Sequence, residues 1–451
     1  MPNSALTRRS VLAAAALATA TGATLAAPFA RGAYAAGRLN VGFWDHWVPG
    51  ANEAVRKLAQ EWADTEKIDL KLDFITSTGD KLRITIAAEA QAGSGHDVLS
   101  MSTWMPSSYA DKLEPVDDVV SGLIEQNGEV GETVEYLAKF NGRWVAVPTS
   151  VGTLTKPPCG RIDLIKQHAG LDVTRMYPAG REDKELAATW SWDLFQQTAE
   201  KCAKGGHPFG MPLGGGSDAV DWVGAVFASH GATLVDDKGN VTVNSDATRQ
   251  VLEWFKRLVP SLPADVFAWD DAANNKMLVS GKASLIMNPP SAWAVAKRDA
   301  PQIAEQLWTF PSPKGPKGRY EPFLPFYWTL WKFSPNKTAA KSLLTYLQQR
   351  PAVEKLVAAS QGFDIPPYRK LRDFKIWADE GPPSGSLYNY PPRHADQIPS
   401  IAAAPAPPRI AVQIYTQATM PKMIAQCTQG GKTIDQAIAW ATDEISGFMR
   451  T

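Results

Sequence analysis

A strand–helix–strand pattern near the start of the chain constrains the fold more than any other feature. Apolar residues alternate with polar or small ones over 39–43 and again over 68–74, which predicts two short strands. Between them, over 55–62, apolar residues recur at the spacing of one helix face. Strand–helix–strand units build parallel sheets with right-handed crossovers, so the chain is predicted to be an α/β protein.

The same reasoning extends the α/β pattern along most of the chain. A helix over 80–92 and strands over 97–101 and 142–148 complete a first region. A second region is predicted to contain helices near 192–204, 218–230, 246–258 and 272–280, followed by a strand over 283–288.

The last third of the chain mixes loops and helices. Gly, Pro and basic residues cluster over 311–321, which predicts a surface loop. Ser334 followed by proline predicts a helix that runs to about Leu347 with the serine as N-cap. The Pro-rich stretch 381–408 is predicted to be irregular, and a final helix is expected from Thr433.

The first residues are typical of an export signal. Arg8 and Arg9 precede an Ala-rich stretch, and Ala33-Tyr34-Ala35 matches the small-x-small pattern of a cleavage site. Paired arginines of this kind resemble a twin-arginine signal, so we expect residues 1–35 to be removed and the rest to reach the periplasm. A single-span membrane anchor is the alternative, but the stretch is weakly apolar and interrupted by Gly22 and Pro28.

Charge and tryptophan content narrow the class of partner. Lys plus Arg and Asp plus Glu are equal at 46 each, which argues against nucleic acid as a partner. The chain contains 16 Trp, which provide flat surfaces that can bind a ring and donate a hydrogen bond. Three cysteines are too few for a disulfide framework.

Several separated segments, taken in order, are similar to the family 1 extracellular solute-binding proteins of bacterial ABC importers, a group that includes maltose-binding proteins. These segments are Trp44–Trp47, Leu113–Asp118, Gly142–Pro148, Thr189–Phe195, Val279–Met287 and Phe333–Lys337. The resemblance implies a two-lobed periplasmic-binding-protein fold in which each lobe is a mostly parallel sheet flanked by helices. It also implies a ligand cleft at the hinge, and a permease and an ATPase as partners.

The resemblance further implies that the chain crosses between the lobes more than once. We expect the N-terminal lobe to comprise 36–150 joined by 325–365. The C-terminal lobe is expected to comprise 151–324 joined by 366–451.

Carbohydrates present hydroxyl groups and flat C–H faces, so a site for them needs aromatic side chains and planar hydrogen-bonding groups. Ligands of open α/β sheets bind at the carboxyl ends of the strands, where loops begin. Indoles and polar groups near such ends, near the hinge, or after the Gly-rich turn 214–217 are the candidates. They are Trp44, Asp45, His46, Trp47, Thr103, Trp104, Asp218, Trp222, Trp293, Tyr327 and Trp328.

Several of these candidates also have a structural interpretation. Trp44 and Trp47 can pack on the lobe surface, Asp218 can cap a helix, and Trp328 can belong to the core of a sheet. Five further indoles, Trp62, Trp254, Trp308, Trp377 and Trp440, are expected in the core.

We therefore expect a monomeric binding protein for a carbohydrate or polyol, with no catalytic residue, metal or cofactor. A polyamine or other cation held by Asp45, Asp218 and Asp270 with aromatic rings is the second hypothesis. An exported carbohydrate-active enzyme is the third, although no segment indicates a pair of catalytic acids.

Overall fold

The computed structural model describes residues 37–48, 50–176, 182–288, 291–388, 390 and 396–450, so the predicted export signal lies outside the described residues. The strands are β1 (Arg38–Trp44), β2 (Asp69–Ile75), β3 (Val98–Ser102), β4 (Lys139–Phe140), β5 (Arg143–Trp144), β6 (Val147–Pro148), β7 (Pro158–Arg161), β8 (Leu285–Met287), β9 (Leu307–Thr309), β10 (Lys314–Gly315), β11 (Gly318–Pro322), β12 (Phe326–Leu330), β13 (Glu380–Gly381), β14 (Ser386–Leu387) and β15 (Gln397–Ser400).

Helices account for most of the remaining described residues. They are α1 (Ala51–Glu66), α2 (Lys81–Ala92), α3 (Met105–Ser108), α4 (Asp117–Asn127), α5 (Glu132–Ala138), α6 (Ile162–Ala169), α7 (Lys184–Thr189), α8 (Trp192–Lys204), α9 (Ser217–His230), α10 (Asp246–Leu258), α11 (Ala273–Val279), α12 (Ser291–Asp299), α13 (Pro301–Ala304), α14 (Lys337–Leu347), α15 (Arg350–Ala359), α16 (Pro408–Thr416), α17 (Thr419–Thr428) and α18 (Ile434–Phe448). None of the helices in the described part of the chain is long and apolar enough to cross a membrane.

The first sheet has five strands in the order β2-β1-β3-β12-β6. β1 pairs in parallel with β2 along its whole length and with β3 on its other side, so the predicted parallel unit is confirmed. β12 is antiparallel to both β3 and β6, and it brings a distant part of the chain into this sheet. The parallel strands therefore end at one edge, where the loops after β1, β2 and β3 meet.

The second sheet corrects one prediction. Its order is β8-β7-β9, and β7 is antiparallel to both neighbours, so this sheet is not mostly parallel. The reason is that β7 arrives directly from the first sheet and lies between two strands that come much later in the chain. Residues 158–161 are all buried in the structure. Their sequence shows no alternation of apolar and polar residues, so it does not predict a strand.

Two predictions of local structure also need correction. The run 142–148 forms two short strands, β5 and β6, rather than one. The stretch 311–321 is not a surface loop, because it contains β10 and β11, and Arg319 within it is 1% exposed. This guanidinium is satisfied by the carbonyls of Ser312 and Ala187, so a basic side chain is buried there without loss of hydrogen bonds.

Helix starts were predicted with mixed success. Asn336 rather than Ser334 occupies the N-cap position of α14, and its side chain makes no capping hydrogen bond. The Ser334 hydroxyl accepts from the Asn336 N–H and donates to Asp97. The last helix begins as predicted. Thr433 caps α18 and forms a capping box with Gln436, which satisfies two backbone donors at the helix start.

Two segments carry the chain between the sheets. The first crossing, 149–157, joins β6 to β7, and the second crossing, 310–325, joins β9 to β12. At the first crossing, one carboxylate oxygen of Asp364 accepts hydrogen bonds from the Gly152 N–H (2.6 Å) and the His46 imidazole (2.9 Å). Asp364 thus ties the loop after β1 to the first crossing.

Gly152 can be tested directly, because both its backbone and its surroundings require a glycine. Its φ is +108°, and a Cβ there would lie 2.5 Å from the Phe326 ring. Gly142 has a φ of +75° and no atom within 4 Å of a built Cβ, so a substitution there would cost only backbone strain. We expect Gly142→Ala to cost about 1–2 kcal/mol and Gly152→Ala about 1–3 kcal/mol more in urea unfolding. Equal losses in the two variants would contradict this packing.

His96 predicts a dependence of stability on pH. Its imidazole lies 2.5 Å from a Glu89 oxygen and 3.3 Å from an Asp73 oxygen. The hydrogen bond to Glu89 raises the pKa of His96 above its ordinary 6.5, although partial burial opposes the shift. A raised folded-state pKa stabilises the folded protein below pH 6.5, and this stability is lost as the pH rises through the folded-state pKa.

We therefore expect the free energy of unfolding to fall as the pH is raised from about 6 to about 9. His96→Gln should remove this part of the pH dependence, because glutamine does not titrate. Urea unfolding of both proteins across this range measures the effect. A variant that keeps the full slope of the parent protein would assign the pH dependence to other groups.

Candidate functional site

A cleft opens at the edge of the first sheet where its parallel strands end. It consists of two adjoining cavities of about 310 and 100 Å³ that share several lining residues. The shared residues, which come from both sides, are Ser77, Asp80, Arg83, Gly215, Gly216, Asp271 and Thr416. We call this space the cleft.

The first wall of the cleft follows β2 and β3. Residues 77–83 after β2 and 102–105 after β3 line it. Trp44, at the end of β1, supports this wall, because its indole N–H donates to the Ser77 hydroxyl at 3.0 Å. The Trp44 ring also packs on Phe326, with ring centroids 4.7 Å apart. Asp80 and Arg83 form an exposed ion pair at 2.7 Å, which leaves hydrogen-bonding capacity towards the cleft.

The opposite wall is the start of α9 together with residues 268–271. Asp271 accepts from the backbone N–H groups of Ser217 and Asp218 and from the Ser217 hydroxyl, and so satisfies the exposed donors at the helix start. A Cβ at Gly216 would lie 2.2 Å from an Asp271 oxygen, so a glycine is needed for this close approach. Burial and the charge of Asp218 raise the pKa of Asp271 to about 6.

Two indoles line the cleft. Trp269 is half-buried on the second wall, next to Asp270 and Asp271. Trp104 lies deeper, is 1% exposed and donates its N–H to the Ala402 carbonyl at 2.9 Å. Trp269 is therefore the indole with surface left to offer a ligand, whereas Trp104 closes the inner end.

A buried ion cluster lies beneath the second wall. The Lys156 ammonium, from the first crossing, is 2.7 Å from an oxygen of Asp218 and 2.7 Å from an oxygen of Asp221. Asn274 and Asn288 donate to the other Asp218 oxygen, and the Tyr415 hydroxyl donates to Asp221. The cluster thus connects the first crossing, α9 and α16.

The cluster holds more negative than positive charge. Burial acts to lower the pKa of Lys156, but the charges of Asp218, Asp221 and Asp271 outweigh it and raise that pKa above its ordinary value. Burial also raises the pKa of Asp221, an effect that Lys156 opposes. One ammonium therefore faces three carboxyl groups, and it is the only Lys or Arg within 4.0 Å of Asp218 or Asp221 among the described residues.

The sequence matches a known family over most of its length. The family model of the bacterial extracellular solute-binding proteins matches residues 48–354. The chain belongs to this family. No curated protein sequence matches the chain as a relative.

Solved structures similar to this solute-binding protein share its fold at low sequence identity. Maltose-bound MalE3 of T. maritima has 19% identity and a TM-score of 0.71, over 90% of this chain and 99% of that one. A sugar transporter of Arthrobacter chlorophenolicus with bound laminaribiose has 14% identity and a TM-score of 0.70, over 92% and 99%. A solute-binding protein of Agrobacterium vitis with bound D-mannitol has 17% identity and a TM-score of 0.67, over 92% and 98%. These structures establish the two-lobed fold for this chain.

The residues predicted for the loop after β1 have supporting positions in this solute-binding protein. Trp44 holds Ser77, as described above. Asp45 accepts from the Asn52 side chain at 2.6 Å, His46 donates to Asp364, and Trp47 packs edge-on against Trp44. The loop therefore braces the first wall and the first crossing.

The other predicted residues are dispersed. Trp104 lines the cleft, and Thr103 beside it is fully buried with a φ of +45°. Asp218 lies beneath the second wall. Trp293 packs on Tyr388 at a small separate cavity that Cys159 also lines.

Three predicted residues lie in the cores of the two lobes, which corrects their expected positions. Trp222 is 0% exposed, donates to the Pro212 carbonyl and packs among other indoles of α8 and α10. Tyr327 donates to the Val134 carbonyl, and Trp328 stacks on Phe43 at 4.9 Å. The reason is that all three lie on elements whose buried faces already require large apolar side chains.

Sequence reasoning missed the best-placed residues of the cleft. Asp80 immediately precedes α2, Arg83 lies in its first turn, and Trp269 follows a short 3-10 turn, so none lies directly after a predicted strand. A usable signal was present, because Trp269-Asp270-Asp271 repeats the indole–carboxylate pattern of Trp44-Asp45.

All three cysteines are buried and free, and no group of three or more His, Cys, Asp or Glu within the described ranges is arranged to hold a metal ion.

Proposed function

We propose that this solute-binding protein captures a carbohydrate or polyol in the cleft and delivers it to the permease of an ABC importer. The observation that carries the proposal is the pairing of a half-buried indole, Trp269, with the polar groups of Asp80 and Arg83 on the opposite wall. An indole can cover a sugar face, and carboxylate and guanidinium groups can bind its hydroxyls bidentately.

The ligands of similar structures support the solute class. Maltose, laminaribiose and D-mannitol are bound in the three proteins described above, all of which share this fold. We infer that the lobes are 36–150 with 325–365 and 151–324 with 366–451. The chain then passes between them three times, at the two crossings and again at 365–366. A solute that contacts both walls would favour the closed arrangement of the lobes.

We further propose that residues 1–35 are an export signal cleaved after Ala35, which places the mature protein in the periplasm. We also propose that it acts there as a monomer. Membership in an extracellular family and the paired arginines support this. The proposal assigns the protein a binding role, with no catalytic residue.

Isothermal titration calorimetry with a panel of mono- and disaccharides and polyols tests the proposal. We expect at least one neutral member to bind with a micromolar or lower Kd that barely changes with ionic strength. Absence of binding tighter than millimolar across the panel would overturn it.

A cationic solute is the second candidate, since three carboxylates (Asp80, Asp270, Asp271) and two basic side chains (Arg83, Lys422) line the cleft. Putrescine and spermidine belong in the same panel for this reason. Binding of a polyamine that weakens with added salt would favour this candidate over a neutral sugar.

A further inference from the structure

A second cavity of about 770 Å³ lies apart from the cleft, with no lining residue in common. Residues of both crossings line it, including Thr155 and Phe323, which form an isolated antiparallel bridge. Lys156, the next residue, points instead to the ion cluster beneath the cleft. Successive side chains of an extended segment point to opposite faces, so this space lies behind the crossings. We call it the rear cavity.

The polar groups of the rear cavity centre on a buried carboxyl. Glu321 is 4% exposed, and one of its oxygens accepts from the Gln397 amide. Its other oxygen has no hydrogen-bond partner among the described residues, and the same holds for the Gln397 carbonyl oxygen and the Thr155 hydroxyl. Three oxygen atoms of residues that line this cavity can thus accept hydrogen bonds. A primary ammonium group carries three donors and no acceptor, which matches this set.

The charges around the carboxyl favour a cation. Burial raises the pKa of Glu321 to about 8, against the opposing effects of the Thr155 and Gln397 side chains and of the Arg319 charge. The positively charged side chains near this carboxyl already have partners. The nearest, Arg319, donates to two backbone carbonyls and forms an ion pair with Asp396. Arg372, on the cavity wall, donates to the carbonyls of Pro366 and Pro367. A bound ammonium would supply the missing positive charge.

Other residues that line the cavity are apolar, and two of them, Trp377 and Phe323, are aromatic. Trp377 is 6% exposed, and its indole N–H already donates to the Gly362 carbonyl at 3.0 Å, so its ring surface is what remains for a ligand. Phe323 lies two residues from Glu321 on the same face of the strand, and Leu154 and Ile365 complete the wall. A ligand body that is apolar and planar would fill this part.

We propose that the rear cavity is a second ligand site, which binds a small primary ammonium compound with a flat apolar body. The ammonium group contacts Glu321, Gln397 and Thr155, and the body packs on Trp377 and Phe323. This site is independent of the solute proposed for the cleft.

Benzylammonium and its neutral counterpart benzyl alcohol test the proposal by titration calorimetry on the full protein. We expect the ammonium to bind at least tenfold more tightly than the alcohol, and its affinity to rise between about pH 6.5 and 8.5 as Glu321 ionises. The other charged side chains that line the cavity are Glu132 and Arg372.

Two variants of the rear cavity and one of the cleft locate the binding. Glu321→Gln should abolish the preference for the ammonium and the pH dependence, and Thr155→Val should weaken ammonium binding about threefold to tenfold. Trp269→Ala, in the cleft, should leave it unchanged. If Glu321→Gln does not fold, Thr155→Val and the pH dependence of the parent protein still decide.

Equal affinities for the amine and the alcohol would overturn the proposal, as would absence of measurable amine binding. Loss of amine binding in Trp269→Ala would also overturn it, because it would place the amine in the cleft.

Discussion

Replacing Lys156 by methionine is expected to destabilise the folded protein by about 3–5 kcal/mol at neutral pH. The methionine keeps the volume of the side chain but removes the ammonium that lies 2.7 Å from both Asp218 and Asp221. The carboxylates would then be buried without a compensating charge, and their mutual repulsion would no longer be offset. Urea unfolding of the parent protein and the variant measures the loss.

Acid should reduce this loss. The pKa values of Asp221 and Asp271 are already raised by burial, and removal of the ammonium would raise them further. A carboxyl with a raised folded-state pKa binds its proton more tightly in the folded chain, so lowering the pH to about 5 favours the folded variant. The difference from the parent protein should therefore shrink in acid.

Lys166→Met is the matched control, because Lys166 is 64% exposed and pairs with Asp172 at 3.2 Å on the surface. Its loss should be at most about 1 kcal/mol. A similar loss in both variants, or a Lys156→Met difference that grows in acid, would contradict the view that the ammonium neutralises the cluster.

Replacing Trp269 by alanine is expected to weaken binding of the carbohydrate about thirtyfold or more, which corresponds to about 2 kcal/mol. Trp269 is the half-buried indole of the cleft, so it can cover one face of a sugar ring. Trp269→Phe keeps a flat apolar ring and should lose less. Titration calorimetry with the tightest-binding member of the sugar panel measures both variants.

Trp440→Ala is the control, because Trp440 is also half-buried but lies on α18, outside the residues that line the cleft. It should bind the sugar as the parent protein does. Since Trp269 also packs partly against the core, unfolding of each variant should be measured alongside. Unchanged affinity in a folded Trp269→Ala would remove this indole from the site.

The first sheet was predictable because its strands carry a pattern. β1 and β2 alternate, α1 between them has one apolar face, and the parallel pairing follows from that connection. The second sheet lacks such a pattern. β7 is short and wholly buried, and its partners lie more than a hundred residues further along the chain, so nothing local indicates its direction.

The cleft was predictable in kind but not in detail. Strand-end loops do line it, as the general rule for α/β sheets requires. A sequence does not show which way an indole points, however. Trp44 turns inwards onto Phe326, and Trp222 faces the core of its lobe. The sequence does not indicate a role for Lys156, because its partners on α9, Asp218 and Asp221, lie about sixty residues further along the chain.

A crystal structure of the protein with the sugar that binds most tightly tests the central claim most directly. The claim predicts that the sugar lies in the cleft, with one ring face on Trp269 and hydroxyls within hydrogen-bond distance of Asp80 or Arg83 on the opposite wall. A sugar found in the rear cavity, or one that contacts a single wall of the cleft, would contradict it.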